Sequence, residues 1–163
     1  LKESNGQEHI GKIVPFKRAK SYESVSEAFE TGCGTIFVHV SFDTDGNPVE
    51  LFGTLGKAGG CAMAMLEAVG KATSIGLRCG VDPQEFIRQY IGIRCLNPVW
   101  GGGEEILSCV DALGKALRGA IERQAEKVKE KETEKETEKE TEKETAKEVE
   151  KDKETANDNT ADQ

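Results

Sequence analysis

Four cysteines stand where the chain punctuates itself: Cys33 in TGCG, Cys61 after a glycine pair, Cys95 in GIRC and Cys109 in LSCVD. Cys61 and Cys109 each fall at the start of a helical pattern. Backbone N–H groups and the helix dipole favour a thiolate there, and thiolate is the form that ligates metal. Cys33 lies between Gly32 and Gly34 at a strand start, where the backbone can turn sharply. Cys95 lies in a loop just beyond a helix. Four sulfurs at element ends are the donor set of a tetrahedral zinc site or an iron–sulfur cluster. No CxxC pair is present, and widely spaced cysteines also serve as small packing residues. The readings divide on whether Cys33, Cys61, Cys95 and Cys109 meet in space. Cys79, in the last turn of the long helical pattern, reads as a small buried apolar residue.

Other chemistries fit less well. GTLGKAGG at 53–60 is a glycine-rich turn between a strand and a helix, a setting that binds anions. Alanine follows Lys57, so no hydroxyl is placed to hold magnesium, and the stretch reads as a tight turn delivering Cys61. A dithiol–disulfide relay between Cys61 and Cys109 is a further option. His39 reads as a face residue of a strand. Asp111 reads as a helix cap, with a supporting role beside Cys109 as the sharper option.

The elements that must position these residues follow from periodicity. Residues 33–42 alternate, with Ile36, Val38, Val40 and Phe42 on one face and Thr35, Phe37, His39 and Ser41 on the other. Asp43 to Asn47 supplies turn chemistry. Residues 48–55 alternate again through Val49, Leu51 and Leu55, completing an antiparallel hairpin. From Gly60 to about Arg78 the period is helical, with Met65, Leu66, Val69, Ala72, Gly76 and Leu77 opposite a polar stripe of Glu67, Lys71, Ser74 and Arg78. Gly80 fits a helix stop. Asp82-Pro83-Gln84-Glu85 opens a short helix with Phe86, Ile87, Tyr90 and Ile91 inward. Residues 92–107 read as a loop. Ser108-x-x-Asp111 opens a last helix with Ala112, Leu113, Ala116, Leu117 and Ala120 on one face. Upstream, Ile13, Val14 and Phe16 read as a short extended piece, and the basic cluster Lys17, Arg18, Lys20 as part of a solvated linker.

Composition sets the bounds. The 163 residues carry a net charge of −8, and residues 126–163 hold nine Lys against fifteen Asp and Glu. The rest is nearly neutral, so bulk charge argues for neither nucleic acid nor membrane as a partner. The repeating KETE tail has no apolar stripe and sets like charges four residues apart, which predicts a disordered segment over 125–163. An arm over 1–11 and one domain over 12–124 remain. About 95 ordered residues make a core that is marginal without a metal, disulfide or partner. No signal peptide and no apolar run long enough for a bilayer are legible in these residues, and on that reading five cysteines lead to the expectation of a reducing cytoplasm. Leu1 is not an initiating methionine, which leaves open a longer parent protein.

TGCGTIFVHVSFD, LGKAGGCAMAMLEAVGKATSIGLRCGVDP, GIRCLNPVWGGG and LSCVDALGKAL together resemble the TSCPD domain, over roughly residues 12–120. That domain occurs at the C-terminal end of adenosylcobalamin-dependent ribonucleotide reductases and also alone. The resemblance implies a role accessory to the reduction of ribonucleotides to deoxyribonucleotides. It implies a reductase catalytic subunit or domain as partner, and adenosylcobalamin only through that partner. Its four cysteines fall on Cys33, Cys61, Cys95 and Cys109, with zinc the expected metal ahead of an iron–sulfur cluster. Val110 replaces the family proline, Leu107 the threonine, and Leu96-Asn97 a proline-containing pair. The reductase barrel, its radical cysteine and its cobalamin site have no counterpart, so catalysis is not assigned to this chain alone. A fainter likeness to iron–sulfur scaffold proteins of the IscU/NifU type matches Cys33, Cys61 and Cys109, and implies a stand-alone cluster or zinc carrier as the alternative. The expected fold is α+β, a small antiparallel sheet with helices packed on one face.

Overall fold

A computed structural model describes residues 13–56, 60–101 and 103–130. The arm over 1–11 and residues 131–163 of the tail lie outside the described residues. Residues 1–123 form one unit and 124–163 a second, of which residues 124–130 are described and helical.

Three strands, β1 (Glu23–Thr31), β2 (Gly34–Phe42) and β3 (Pro48–Leu55), form an antiparallel sheet in that order. β1 meets β2 from Glu23 opposite Phe42 to Thr31 opposite Gly34. β2 meets β3 from Ile36 opposite Leu55 to Phe42 opposite Pro48, with a register shift at Ser41/Phe42. The turn between them is tied by Asp43, whose Oδ1 accepts the Asp45 and Asn47 amides at 3.0 and 2.8 Å. Ile36, Val38, Val40 and Phe42 are almost wholly buried, as their alternation requires.

The helices α1 (Cys61–Arg78), α2 (Pro83–Tyr90) and α3, which begins at residue 109, build the core against the sheet. Leu66, Ile87, Leu113 and Leu117 join the inward strand residues there. Each such side chain contributes about 2 kcal/mol on burial. That outweighs exposed ion pairs such as Glu67–Lys71, whose charges are screened by solvent. The architecture is α+β, as the patterning implies. α2 opens as read: the Asp82 side chain accepts the Gln84 amide at 2.9 Å, and Pro83 takes the first helical position. α1 ends as read, with the Gly80 and Val81 amides turning back to the Leu77 and Gly76 carbonyls.

The face that α1 buries is rotated from the one its hydrophobicity marks. Met65 is 60% exposed, whereas Ser74 is buried. The cause is a close approach to β3. A Cβ on Gly70 would stand 2.8 Å from the Leu51 carbonyl oxygen, so only glycine fits. One turn on, the Ser74 hydroxyl accepts the Leu51 amide at 3.0 Å and lies 3.1 Å from the Leu51 oxygen. Small and polar residues here serve contact with backbone, which a hydrophobic pattern does not register.

Three further strands stand where the patterning assigns none. β1 follows on the basic cluster that reads as linker. Its inward alternation through Val25 and Phe29 is hidden by Glu27, whose carboxylate is matched by Arg123 at 2.5 Å. Arg18 is likewise engaged: it pairs with the buried Glu50 and lies over the Phe52 ring, 5.7 Å from its centroid. Within 92–107, β4 (Val99–Gly101) and β5 (Glu104–Ile106) form a two-stranded hairpin beside β1, and Ile106 enters the core. Among the described residues, no helix is long and apolar enough to cross a membrane.

Candidate functional site

Three of the expected cysteines converge at the end of the sheet where β1 turns into β2. The turn is organised by Thr31. Its hydroxyl donates to the Gly34 carbonyl at 2.7 Å and accepts the Cys33 amide at 3.3 Å. The same oxygen lies 3.5 Å from Cys109 Sγ. One hydroxyl has one donor and two acceptor positions, so these contacts use it fully. Thr31 is buried, which protects the arrangement from water.

Cys95 reaches this turn through Asn97. A Cβ on Gly32 would fall 2.1 Å from the Asn97 carbonyl oxygen, so the 95–97 loop lies directly on the Gly32 backbone. The Asn97 amide donates to Cys95 Sγ at 3.4 Å, and the Cys95 amide donates to the Leu107 carbonyl at 2.9 Å. The loop is thereby fixed to both the Cys33 turn and the approach to α3.

Cys109 sits in the first turn of α3, and that start is strongly built. Ser108 caps it, its oxygen accepting the Asp111 amide at 3.1 Å while its hydroxyl donates to the Ile93 carbonyl at 2.7 Å. Asp111, fully buried, accepts the Gly92 amide at 2.9 Å and the Leu107 amide at 3.1 Å, and pairs with Lys115 at 2.9 Å. Burial alone would lower the Lys115 pKa. Its hydrogen bonds to Asp111 and Glu104, with their charges, outweigh this and raise it. Asp111 is therefore more than a helix cap: it joins the end of α2, the end of β5 and the start of α3.

The sulfurs sense one another. The Cys33 thiol is pushed above its ordinary pKa, first by the charge of Cys109, then by burial, by a hydrogen bond with Cys109 and by the charge of Cys95. Cys33 and Cys95 are exposed and Cys109 is half-buried.

Cys61 opens α1 and is exposed. Its helix starts at the same end of the sheet, because the Leu55 amide donates to Met63 Sδ at 3.3 Å and Leu55 pairs with Ile36 near the start of β2. The preceding Gly60 has φ 92° and no side-chain cap closes the helix. Residues 57–59 of the glycine-rich turn lie outside the described residues. Cys79 is the C-cap of α1 and half-buried, rather than buried as its setting suggests. Eighteen residues of helix put it about 27 Å from the Cys61 end. His39 faces out from β2, 2.6 Å from Ser26 Oγ.

Thr31 and Asn97 escape a reading based on residue type, though Thr31 immediately precedes the Gly-Cys-Gly stretch. Sulfur donors suit zinc or an iron–sulfur cluster. As the side chains stand, no group of three or more His, Cys, Asp or Glu among the described residues is arranged to hold a metal ion.

A small α+β domain with cysteines gathered at the end of its sheet is the class defined so far. The family model for the TSCPD domain matches residues 12–121, and the chain belongs to that family. The matched residues include the strongly built start of α3. No curated protein and no solved structure matched the chain.

Proposed function

We propose that this chain is an accessory TSCPD domain that docks on a ribonucleotide reductase and serves the reduction of ribonucleotides from outside the catalytic barrel. We further propose that Cys33, Cys61, Cys95 and Cys109 hold one metal ion, zinc ahead of an iron–sulfur cluster. The reductase role rests on family membership. The observation that supports the metal reading is the convergence of Cys33, Cys95 and Cys109, with the Cys61 helix starting at the same end of the sheet. A bound zinc would supply a redox-inert cross-link among four element ends. The carrier alternative gives Cys95 no part, yet the loop that carries Cys95 is seated on Gly32, beside Cys33.

Elemental analysis of the full chain tests the metal. Wild type and Cys79→Ser are expected to carry about one metal per chain, and Cys61→Ser to lose most of it. Wild type purified without metal and with intact helical signal would sink this reading. The reductase role is tested by co-purification from cells containing a cobalamin-dependent enzyme. Repeated failure to recover that enzyme would count against it.

A further inference from the structure

We propose that Cys33 and Cys109 form a thiol–disulfide couple, a redox site whose substrate is the disulfide of a small thiol. The couple needs two sulfurs and no metal, so it stands apart from the metal reading and competes with it for the same atoms.

The argument begins with Thr31. Its single oxygen bonds the Cys33 amide and touches Cys109 Sγ, so the backbone of one cysteine and the sulfur of the other share one anchor. Cys109 Sγ and the Cys33 amide nitrogen stand 3.5 and 3.3 Å from that one oxygen, which makes the two cysteines neighbours across the turn. They differ in access. Cys33 is exposed on a two-glycine turn, where a dissolved disulfide can reach it. Cys109 is half-buried and fixed by the Ser108 cap and Asp111. A reachable sulfur beside a fixed one is the arrangement of an entering and a resolving thiol.

The chemistry balances in two steps. Cys33 loses its proton to solvent and its sulfur attacks one sulfur of the small disulfide. The S–S bond breaks, and one small thiol leaves with a proton. Cys109 then gives up its proton and attacks Cys33 Sγ in the mixed disulfide, expelling the second small thiol. The protein is oxidised by two electrons and the small disulfide is reduced to two thiols. Cys61, at the start of a different helix, takes no part. This distinguishes the couple from a relay between Cys61 and Cys109.

The test uses the metal-free full chain treated with glutathione disulfide, alkylated and mapped by mass spectrometry. Trypsin leaves Cys95 and Cys109 on one peptide, because neither Lys nor Arg lies between Arg94 and Lys115. A glutamate-specific protease, cutting after Glu104 and Glu105, separates them. The expected product is a Cys33–Cys109 link that persists in Cys95→Ser. Cys109→Ser is expected to stop at the mixed disulfide, with glutathione retained on Cys33. A principal link involving any other cysteine, a wild type halted at glutathionylated Cys33, or a wild type left fully reduced would overturn the proposal. Metal content is measured on untreated protein, so failure of the metal reading leaves this map unaffected.

Discussion

Two helices in this domain open on a cysteine, and they are built in opposite ways. α3 starts behind Ser108, with Asp111 buried and bonded to two amides and a lysine, and with Cys109 against Thr31. α1 starts behind Gly60, with no side-chain cap, no acidic residue in its first turn and Cys61 exposed. A cysteine at a helix start is one motif in sequence and two physical situations. At α3 the sulfur is positioned before any ligand arrives. At α1 the sulfur stands in solvent, on a helix that is held by its packing further along.

The largest effect that would break this contrast is expected from Asp111→Ala. It strands the Gly92 and Leu107 amides and removes a partner of the nearly buried Lys115. A loss of about 3–5 kcal/mol is expected in urea unfolding. A loss under about 1 kcal/mol would mean that the α3 start does not depend on Asp111. Next comes Gly32→Ala, which forces a Cβ into the Asn97 backbone. About 1–3 kcal/mol is expected, together with faster alkylation of Cys95 as its loop lifts. An unchanged Cys95 rate would show that the loop is not seated on Gly32. The smallest effect is at α1. Serine is a preferred N-cap, but Gly60 holds φ 92° with open space around it. Gly60→Ser is expected to destabilise by about 1 kcal/mol, read as a lower melting temperature. A stabilised variant would show that α1 can accept the kind of start α3 has.

Much of the framework is legible in sequence wherever burial follows a simple period. Ile36 to Phe42 and Ala112 to Ala120 occupy the faces their spacing assigns. Legibility fails where a polar group is satisfied by a distant partner. Glu27 obscures β1 because Arg123, almost a hundred residues away, pairs with it. Ser74 reads as surface because its partner is the backbone of Leu51. The candidate site divides the same way. Cysteine type and position mark Cys33, Cys95 and Cys109, whereas the threonine hydroxyl joining two of them is invisible until β1 is in place. The placement of Asn97 on Gly32 is a backbone packing fact with no side-chain signature.

The contact between Ser74 and Leu51 also governs how this domain can meet other chains. β3 is the outer strand of its sheet, and the amide and carbonyl that Leu51 turns toward Ser74 are groups an open strand edge would otherwise offer to an incoming strand. With that stretch occupied by α1, strand addition at the middle of β3 would first have to lift the helix away. Self-assembly into extended sheets through the middle of β3 is blocked by the same stroke, and a partner that meets this edge without unpacking the fold has to use side-chain surfaces.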